Sequence, residues 1–456
     1  MADNDHTASE LVARATRMSM SRRKALARAA ALGLSIPALS ALNSGGASAA
    51  PQSAATRQLS SNASIDLSFY HDKAPWEDYF KQMSDLSAEQ IDISFTETPY
   101  ADTTSYQQVI NSSLPTGDAP DLFTWWSGYR MEDLYKSGNI RDMSDVWTAA
   151  VAAGDLPESL AAAFSFDGKP YAVPQSTSSW VVFYNKKVFA DNSVEVPATW
   201  DDFLAAAATI KEAGVTPFFA TVDGRWPAFI WFEELLIKRD PQFYIDLCNG
   251  DAKYTDDTAV QALADWKDLI DKEYFTELDT PMDQNFVTLF AAGEVAMIPV
   301  GTWFQQQFLA ADLVPGEDYD VFILPNIDPA ATKNVMIVET GAIILPNGGK
   351  NDEAAVKLAT WWDQVDAQTK WSGLLGDIGA NPKVEHDNVV LSNVNTLVAD
   401  GNYELLQRYW EATPPAIVEN AVDELARFML NPDEAQSVLE AIQKIADEEW
   451  AKRQTA

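Results

Sequence analysis

From Ile65 to Tyr70 (IDLSFY) apolar and polar side chains alternate, the period-two pattern of a strand. Trp76–Leu86 reads as a helix and Ile91–Glu97 (IDISFTE) as a second strand. Ser105–Leu114 is a helix with apolar positions at Val109, Ile110 and Leu114, and Pro120–Thr124 is a third strand. Strand, helix, strand, helix, strand predicts a mostly parallel α/β sheet. Met131–Ser137 and Leu156–Phe164 read as further helices, and Gly168–Pro174 as a turn leading into a strand. Trp180–Tyr184 (WVVFY) is a strongly apolar strand. Thr199–Ala213 has a full set of helix signals: Thr199 as N-cap, Asp201 and Asp202 in the first turn, Gly214 at the end. A strand follows at Thr216–Ala220, then an aromatic-rich helix at Ala228–Lys238 and an amphipathic one at Asp257–Lys272. Tyr319–Leu324 and Met336–Leu345 are strands, and the tail from Asp352 reads as helical, ending with Asp433–Trp450. No short solenoid repeat interrupts this order.

One segment organises the rest. Leu289–Phe304 (LFAAGEVAMIPVGTWF) ends a helix, turns at Gly293, runs through an apolar strand at Val295–Val300, and leaves it at Gly301-Thr302-Trp303. A strand end with a glycine, a hydroxyl and an aromatic at a new helix start makes a ligand-facing corner. In open α/β sheets ligands sit at the carboxyl ends of strands. Other strand ends carry His71-Asp72-Lys73, Trp125-Trp126-Ser127 and Asp223 to Trp226, while Gln175 to Trp180 stand around the WVVFY strand and Glu339-Thr340-Gly341 near the Met336 strand. Aromatic rings thus recur beside carboxylates and small polar groups. That mixture suits a sugar, whose C–H faces lie on flat rings and whose hydroxyls meet amides and carboxylates. Trp126, Trp226 and Trp303 are the candidate platforms, whereas Trp361 and Trp362 sit inside a helical run and read as packing.

The 456 residues are enough for more than one core, with 47% hydrophobic residues. Against 32 Lys and Arg stand 67 Asp and Glu, a net charge of -35. Such a surface repels nucleic acid and anionic lipid. With one cysteine, Cys248, and three histidines, an internal disulfide is impossible and a histidine-rich zinc site is disfavoured. No metal or other cofactor is implied. G-x-S-x-G, P-loop and H-E-x-x-H motifs are absent, and among so many acids no glycosidase pair stands out. At the N-terminus, Ser21-Arg22-Arg23-Lys24 is a basic n-region with a twin arginine, Ala25–Leu42 an h-region, and Ala47-Ser48-Ala49 a small-residue cleavage site. Residues 1–50 therefore read as an export signal, compatible with the Tat or Sec route, and residues 51–58 as linker. No cysteine lies near the cleavage site, so a soluble protein outside the cytoplasmic membrane is expected, without a lipoprotein anchor.

Three further motifs, Pro120-Asp121-Leu122-Phe123-Thr124-Trp125-Trp126, Tyr171-Ala172-Val173-Pro174 with Phe183-Tyr184-Asn185-Lys186, and Pro197 to Phe203, join LFAAGEVAM…GTWF and the late Pro432-Asp433-Glu434-Ala435. Together, in this order, they resemble the extracellular solute-binding proteins (family 1) of carbohydrate ABC transporters, the group that includes maltose-binding protein. The resemblance implies a two-lobed α/β fold of the periplasmic-binding-protein kind (type II), each lobe a sheet flanked by helices, joined by a hinge of several crossings. It implies lobe 1 from residues 59–177 and 302–345, and lobe 2 from 178–301 and 346–456. Leu289–Phe304 would then be the return crossing from the second lobe to the first. The implied partners are a carbohydrate ligand and the membrane permease, with the receptor acting as a monomer and no covalent chemistry. The implied cleft residues are His71, Asp72, Trp126, Ser127, Gln175, Trp226, Trp303, Glu339 and Asp377. A receptor for a polyamine or betaine-type cation, bound by cation–π contacts, and a secreted carbohydrate-active enzyme are the alternatives.

Overall fold

The structure, a computed structural model, describes residues 65–282, 284–328, 334–399 and 403–455. The expected export signal and linker lie outside them. The early alternation is observed: β1 (Ile65–His71), helix Glu77–Ile91, β2 (Ile93–Pro99), helix Thr103–Ser113 and β3 (Leu122–Trp126). β1 pairs parallel with both β2 and β3. The chain continues through β4 (Val173–Asn185), β5 (Thr216–Phe218), β6 (Val295–Gly301), β7 (Tyr319–Phe322), β8 (Asn334–Ile344) and β9 (Tyr403–Gln407). The path through the sheet is β2-β1-β3-β8-β4-β6-β5, with β9 beside β8 and β7 beside β4.

This sheet is two sheets end to end, joined where long strands cross. Among the described residues the buried apolar side chains form separate clusters. One holds Leu67 to Val173, Ala342 to Leu345 and Ala354 to Ala380. The others flank the far end of β4: Trp180, Val182 and Tyr184 face one, Val181 and Phe183 the other. The WVVFY run is apolar throughout because both faces of its sheet are buried. Helix Trp200–Glu212 packs there, started by a capping box between Thr199 and Asp202.

Two strands carry the chain between lobes. β4 leaves the first cluster at Val173 and enters the second at Trp180, through the polar stretch Pro174–Ser179. β8 returns, from Val335 and Ile337 in the second lobe to Ala342 in the first. They pair antiparallel with each other (Val338↔Ser179, Glu339↔Ser178, Thr340↔Thr177, Gly341↔Ser176), with a bulge after Gly341. A third connection leaves helix Val365–Leu375 and reaches Val390 and Leu391 of the second lobe.

The boundaries differ from those expected at residues 302–345 and 346–456. Gly301-Thr302-Trp303 is not the return crossing: Phe304, Phe308 and Tyr319 stay in the second lobe, because β7 pairs with β4 there. Helices Asp352–Trp362 and Val365–Leu375 pack on the first lobe, where Trp362 and Trp371 meet Phe80. The tail is helical except for β9, a strand the sequence pattern did not signal.

Candidate functional site

The crossing strands form the floor of a cavity of about 360 Å³. Gln175, Ser176 and Ser178 come from β4, and Glu339, Thr340 and Gly341 from β8. Bare backbone at Gly341 matters here: a Cβ would stand 2.7 Å from Gln175 Oε1. The Gln175 side chain, 2% exposed, leaves its Nε2 without a protein partner, as does Thr340, 5% exposed, with its Oγ1. Buried polar groups are normally satisfied, so orphans lining a cavity mark places for a ligand's polar atoms.

Tryptophans make the walls. From the first lobe, Trp125 and Trp126 stand at the end of β3 with ring centroids 5.2 Å apart, and Trp76 follows β1. Lys73 Nζ lies 5.9 Å from the Trp76 ring and 5.6 Å from the Trp126 ring, and pairs with Asp72 at 2.8 Å. From the second lobe, Trp303 follows β6 with its Nε1 unpartnered. Its indole lies against the backbone of Gly301, where a Cβ would come within 2.3 Å of Nε1.

Charge gathers at two points. Arg408 binds Glu411 through Nε at 2.8 Å and Nη2 at 2.5 Å, and pairs with Glu339 through Nη1. Burial pushes the Glu339 carboxyl up, against the pull of Arg408. Asp377 lies just past helix Val365–Leu375. Its carboxyl accepts hydrogen bonds from Ser178 Oγ, from Thr302 Oγ1 at 2.5 Å and from the Ile378 backbone N–H at 2.8 Å. It thereby ties β4, the corner after β6 and the third connection together. Burial outweighs these donors and pushes its carboxyl up to about 7.

Residues 81–396 match the family described as bacterial extracellular solute-binding protein. The chain belongs to the bacterial extracellular solute-binding proteins. It is 26% identical over 276 residues to an ABC transporter extracellular-binding protein of Pyrococcus horikoshii, covering 60% of each chain. It is 22% identical over 341 residues to the multiple sugar-binding protein of Streptococcus mutans, covering 71% of this chain and 76% of that one. The chain spans about 60% of the length of the first curated relatives it matches. Among solved structures, a bacterial solute receptor described as having an exclusive preference for β-D-galactopyranose superposes with a TM-score of 0.72 at 22% identity, over 85% of this chain and 98% of that one. The two-lobed α/β fold expected from the sequence is the fold observed, and the family is one of binding proteins. Among the described residues no helix is long and apolar enough to cross a membrane.

Of the residues expected in the cleft of this solute-binding protein, Trp126, Gln175, Trp303, Glu339 and Asp377 line the cavity. The others stand behind it. His71 is 0% exposed and stacks on Phe80 at 4.0 Å, part of the first-lobe core. Burial lowers its pKa to about 4, despite Asp72 and Glu77. Asp72 holds Lys73 and accepts from Thr124 Oγ1 at 2.9 Å. Ser127 is buried and accepts from Gln407 Nε2 at 2.9 Å, a bond between lobes. Trp226 packs on the second-lobe core, its ring 6.1 Å from that of Trp303, which it backs rather than joins. Lys73, named at the end of the first strand but not among the expected cleft residues, lines the cavity, as do Trp76, Gln306, Arg408 and Glu411, which the sequence pattern did not signal. Arg408 and Glu411 follow β9; their spacing of three residues was the available signal, hidden in a tail read as helix throughout.

Proposed function

We propose that this chain is the extracytoplasmic substrate-binding component of an ABC importer, which captures a sugar between its lobes and delivers it to a membrane permease. The observation that carries this reading is the cavity: orphaned Gln175 Nε2 and Thr340 Oγ1 beside the Trp126 and Trp303 rings. Hydroxyls satisfy the first set and sugar C–H faces cover the second. The volume, about 360 Å³, lies near the lower end of the usual range of roughly 300–1,000 Å³ for small-molecule sites, which suits a mono- or disaccharide. The relative named a multiple sugar-binding protein and the neighbour described as preferring β-D-galactopyranose support the same class.

Binding without catalysis fits the carboxylates: Glu339 and Glu411 are engaged by Arg408 and Asp377 is held by three donors, so no free pair flanks a bond to be cut. Export to the periplasm or cell exterior is supported by the family and by the basic and apolar stretch within residues 21–42. Monomeric action and avoidance of nucleic acid fit a net charge of -35.

Thermal-shift screening with mono- and disaccharides, choline and spermidine tests the reading, since a ligand of the folded state raises Tm by mass action. At least one sugar is expected to raise it. Stabilisation by choline or spermidine alone overturns the sugar assignment, and turnover of an oligosaccharide overturns the assignment as a binding protein.

A further inference from the structure

The cations around the cavity are each ion-paired. Two reach its wall, Lys73 and Arg408. Lys73 is held by Asp72, and Arg408 spends its Nε and Nη2 on Glu411 and its Nη1 on Glu339. Three carboxylates, Glu339, Glu411 and Asp377, share the same wall, with Asp72 behind Lys73. Hydrogen-bonding capacity without a protein partner comes instead from uncharged side chains: Gln175 with its Nε2 and Thr340 with its Oγ1.

We propose that this cavity admits sugars without negative charge and rejects their uronates and phosphates, with the Glu339–Arg408–Glu411 cluster as the discriminating device. The inference rests on the sugar reading above and adds to it a charge rule. An anionic substituent entering the cavity loses its water and meets three carboxylates, along with two cations that are each already ion-paired. Arg408 can turn to it only by releasing Glu339 or Glu411, which leaves that side chain charged and unpaired. A neutral ring makes no such demand, and a protonated amino substituent meets a wall richer in carboxylates than in cations. Lys73 carries its charge beside Asp72, 2.8 Å away and with a side chain 5% exposed, so the pair adds no net positive charge to the wall.

The test compares matched ligands by isothermal titration calorimetry: glucose, glucosamine and glucuronate; galactose, galactosamine and galacturonate; cellobiose and cellobiouronate. The neutral member of at least one set is expected to bind, its amino analogue no more than about tenfold more weakly, and its uronate roughly 100-fold more weakly or worse. Glu339→Gln frees one face of Arg408, and the ratio of neutral sugar to uronate is expected to shrink about tenfold, whatever affinity both lose together. A uronate that binds within about threefold of its neutral partner overturns the inference and leaves the sugar reading standing. An unchanged ratio in a folded Glu339→Gln variant overturns the role of the cluster. If that variant does not fold, the wild-type ratio alone decides. Binding by none of the panel, or by choline and spermidine only, removes the sugar reading and this inference with it.

Discussion

Asp377→Asn removes a charge at the junction of three chain segments while keeping the shape of the side chain. The carboxyl is 2% exposed and accepts from Ser178, Thr302 and the Ile378 N–H. Burial nonetheless dominates and raises its pKa from 3.8 to about 7. That difference corresponds to a free energy on the order of 4 kcal/mol between the neutral and ionised side chain in the folded protein. The sign follows from linkage: the folded state holds the proton more tightly than the unfolded chain. The stabilisation is fully present below pH 3.8 and is lost as the pH rises through about 7. An amide never ionises, so Asp377→Asn escapes that loss. Its carbonyl still accepts from Thr302 and Ile378, and its NH₂ can donate to Ser178 Oγ. Urea denaturation at pH 4, 6 and 8 reads the difference. At pH 4 the variant is expected to match the parent or fall below it by about 1 kcal/mol, a hydrogen bond's worth. At pH 8 it is expected to be the more stable, by up to about 4 kcal/mol less that amount. A difference that stays constant from pH 4 to 8 would show that Asp377 is ionised throughout, and would refute the argument from burial.

The remaining expectations concern single contacts. His71→Phe keeps the stack on Phe80 and removes a base whose pKa burial depresses from 6.5 to about 4; the parent therefore loses about 3 kcal/mol as the pH falls through this window and the variant does not, which acid titration followed by circular dichroism detects as a lower unfolding midpoint. Trp303→Ala is expected to weaken sugar binding about 10- to 100-fold in calorimetry with little change in Tm; a large loss of Tm with unchanged affinity would make Trp303 a packing residue. Gly341→Ala puts a Cβ 2.7 Å from Gln175 Oε1, at the movable end of a side chain, so affinity is expected to fall while the urea midpoint holds. Gly128→Ala combines φ +60° with a Cβ 2.3 Å from the Glu411 backbone oxygen, so there the urea midpoint itself is expected to drop, with a loss of about 1–3 kcal/mol in unfolding free energy.

Regular elements were legible where one physical signal ruled. The alternation of Ile65–Tyr70 became β1, and the Thr199 cap with its acidic first turn became helix Trp200–Glu212. Trp126 and Trp303 were legible because the carboxyl-end rule points to them directly, whereas Gln175 stands near the start of β4. His71, the last residue of β1, falls on the buried face with Leu67 and Phe69, since alternate residues of a strand share a face. The return crossing was not legible. β8 is apolar on both sides of Glu339-Thr340-Gly341 because it serves a core in each lobe, so the short polar break reads as a local irregularity rather than as a passage between lobes. Arg408 was hidden for a related reason: β9 gains its strand conformation from pairing with β8, a non-local contact that the intrinsic preference of Tyr403–Gln407 does not announce.

The placement of the cavity on the crossings has a consequence for how binding is transmitted. If the polar groups stood within one lobe, a ligand would be held equally well whatever the position of the other. Here Gln175 and Thr340 lie on the two strands that join the lobes, Trp126 is fixed to the first and Trp303 to the second. A sugar touching both tryptophans gains the second contact only in arrangements that bring both within reach, so it binds those arrangements more tightly and shifts the population toward them. The size of that shift is set by the differential contact alone: an interaction about 100-fold stronger in one arrangement moves the ratio of arrangements by the same factor. Trp303 and Trp126 should therefore act non-additively. A double-mutant cycle on sugar affinity, with Trp126→Ala, Trp303→Ala and the pair, is expected to give a coupling of about 1 kcal/mol or more. Simple additivity would mean that the two walls hold the ligand independently, and that closure of one lobe on the other is not what the sugar selects.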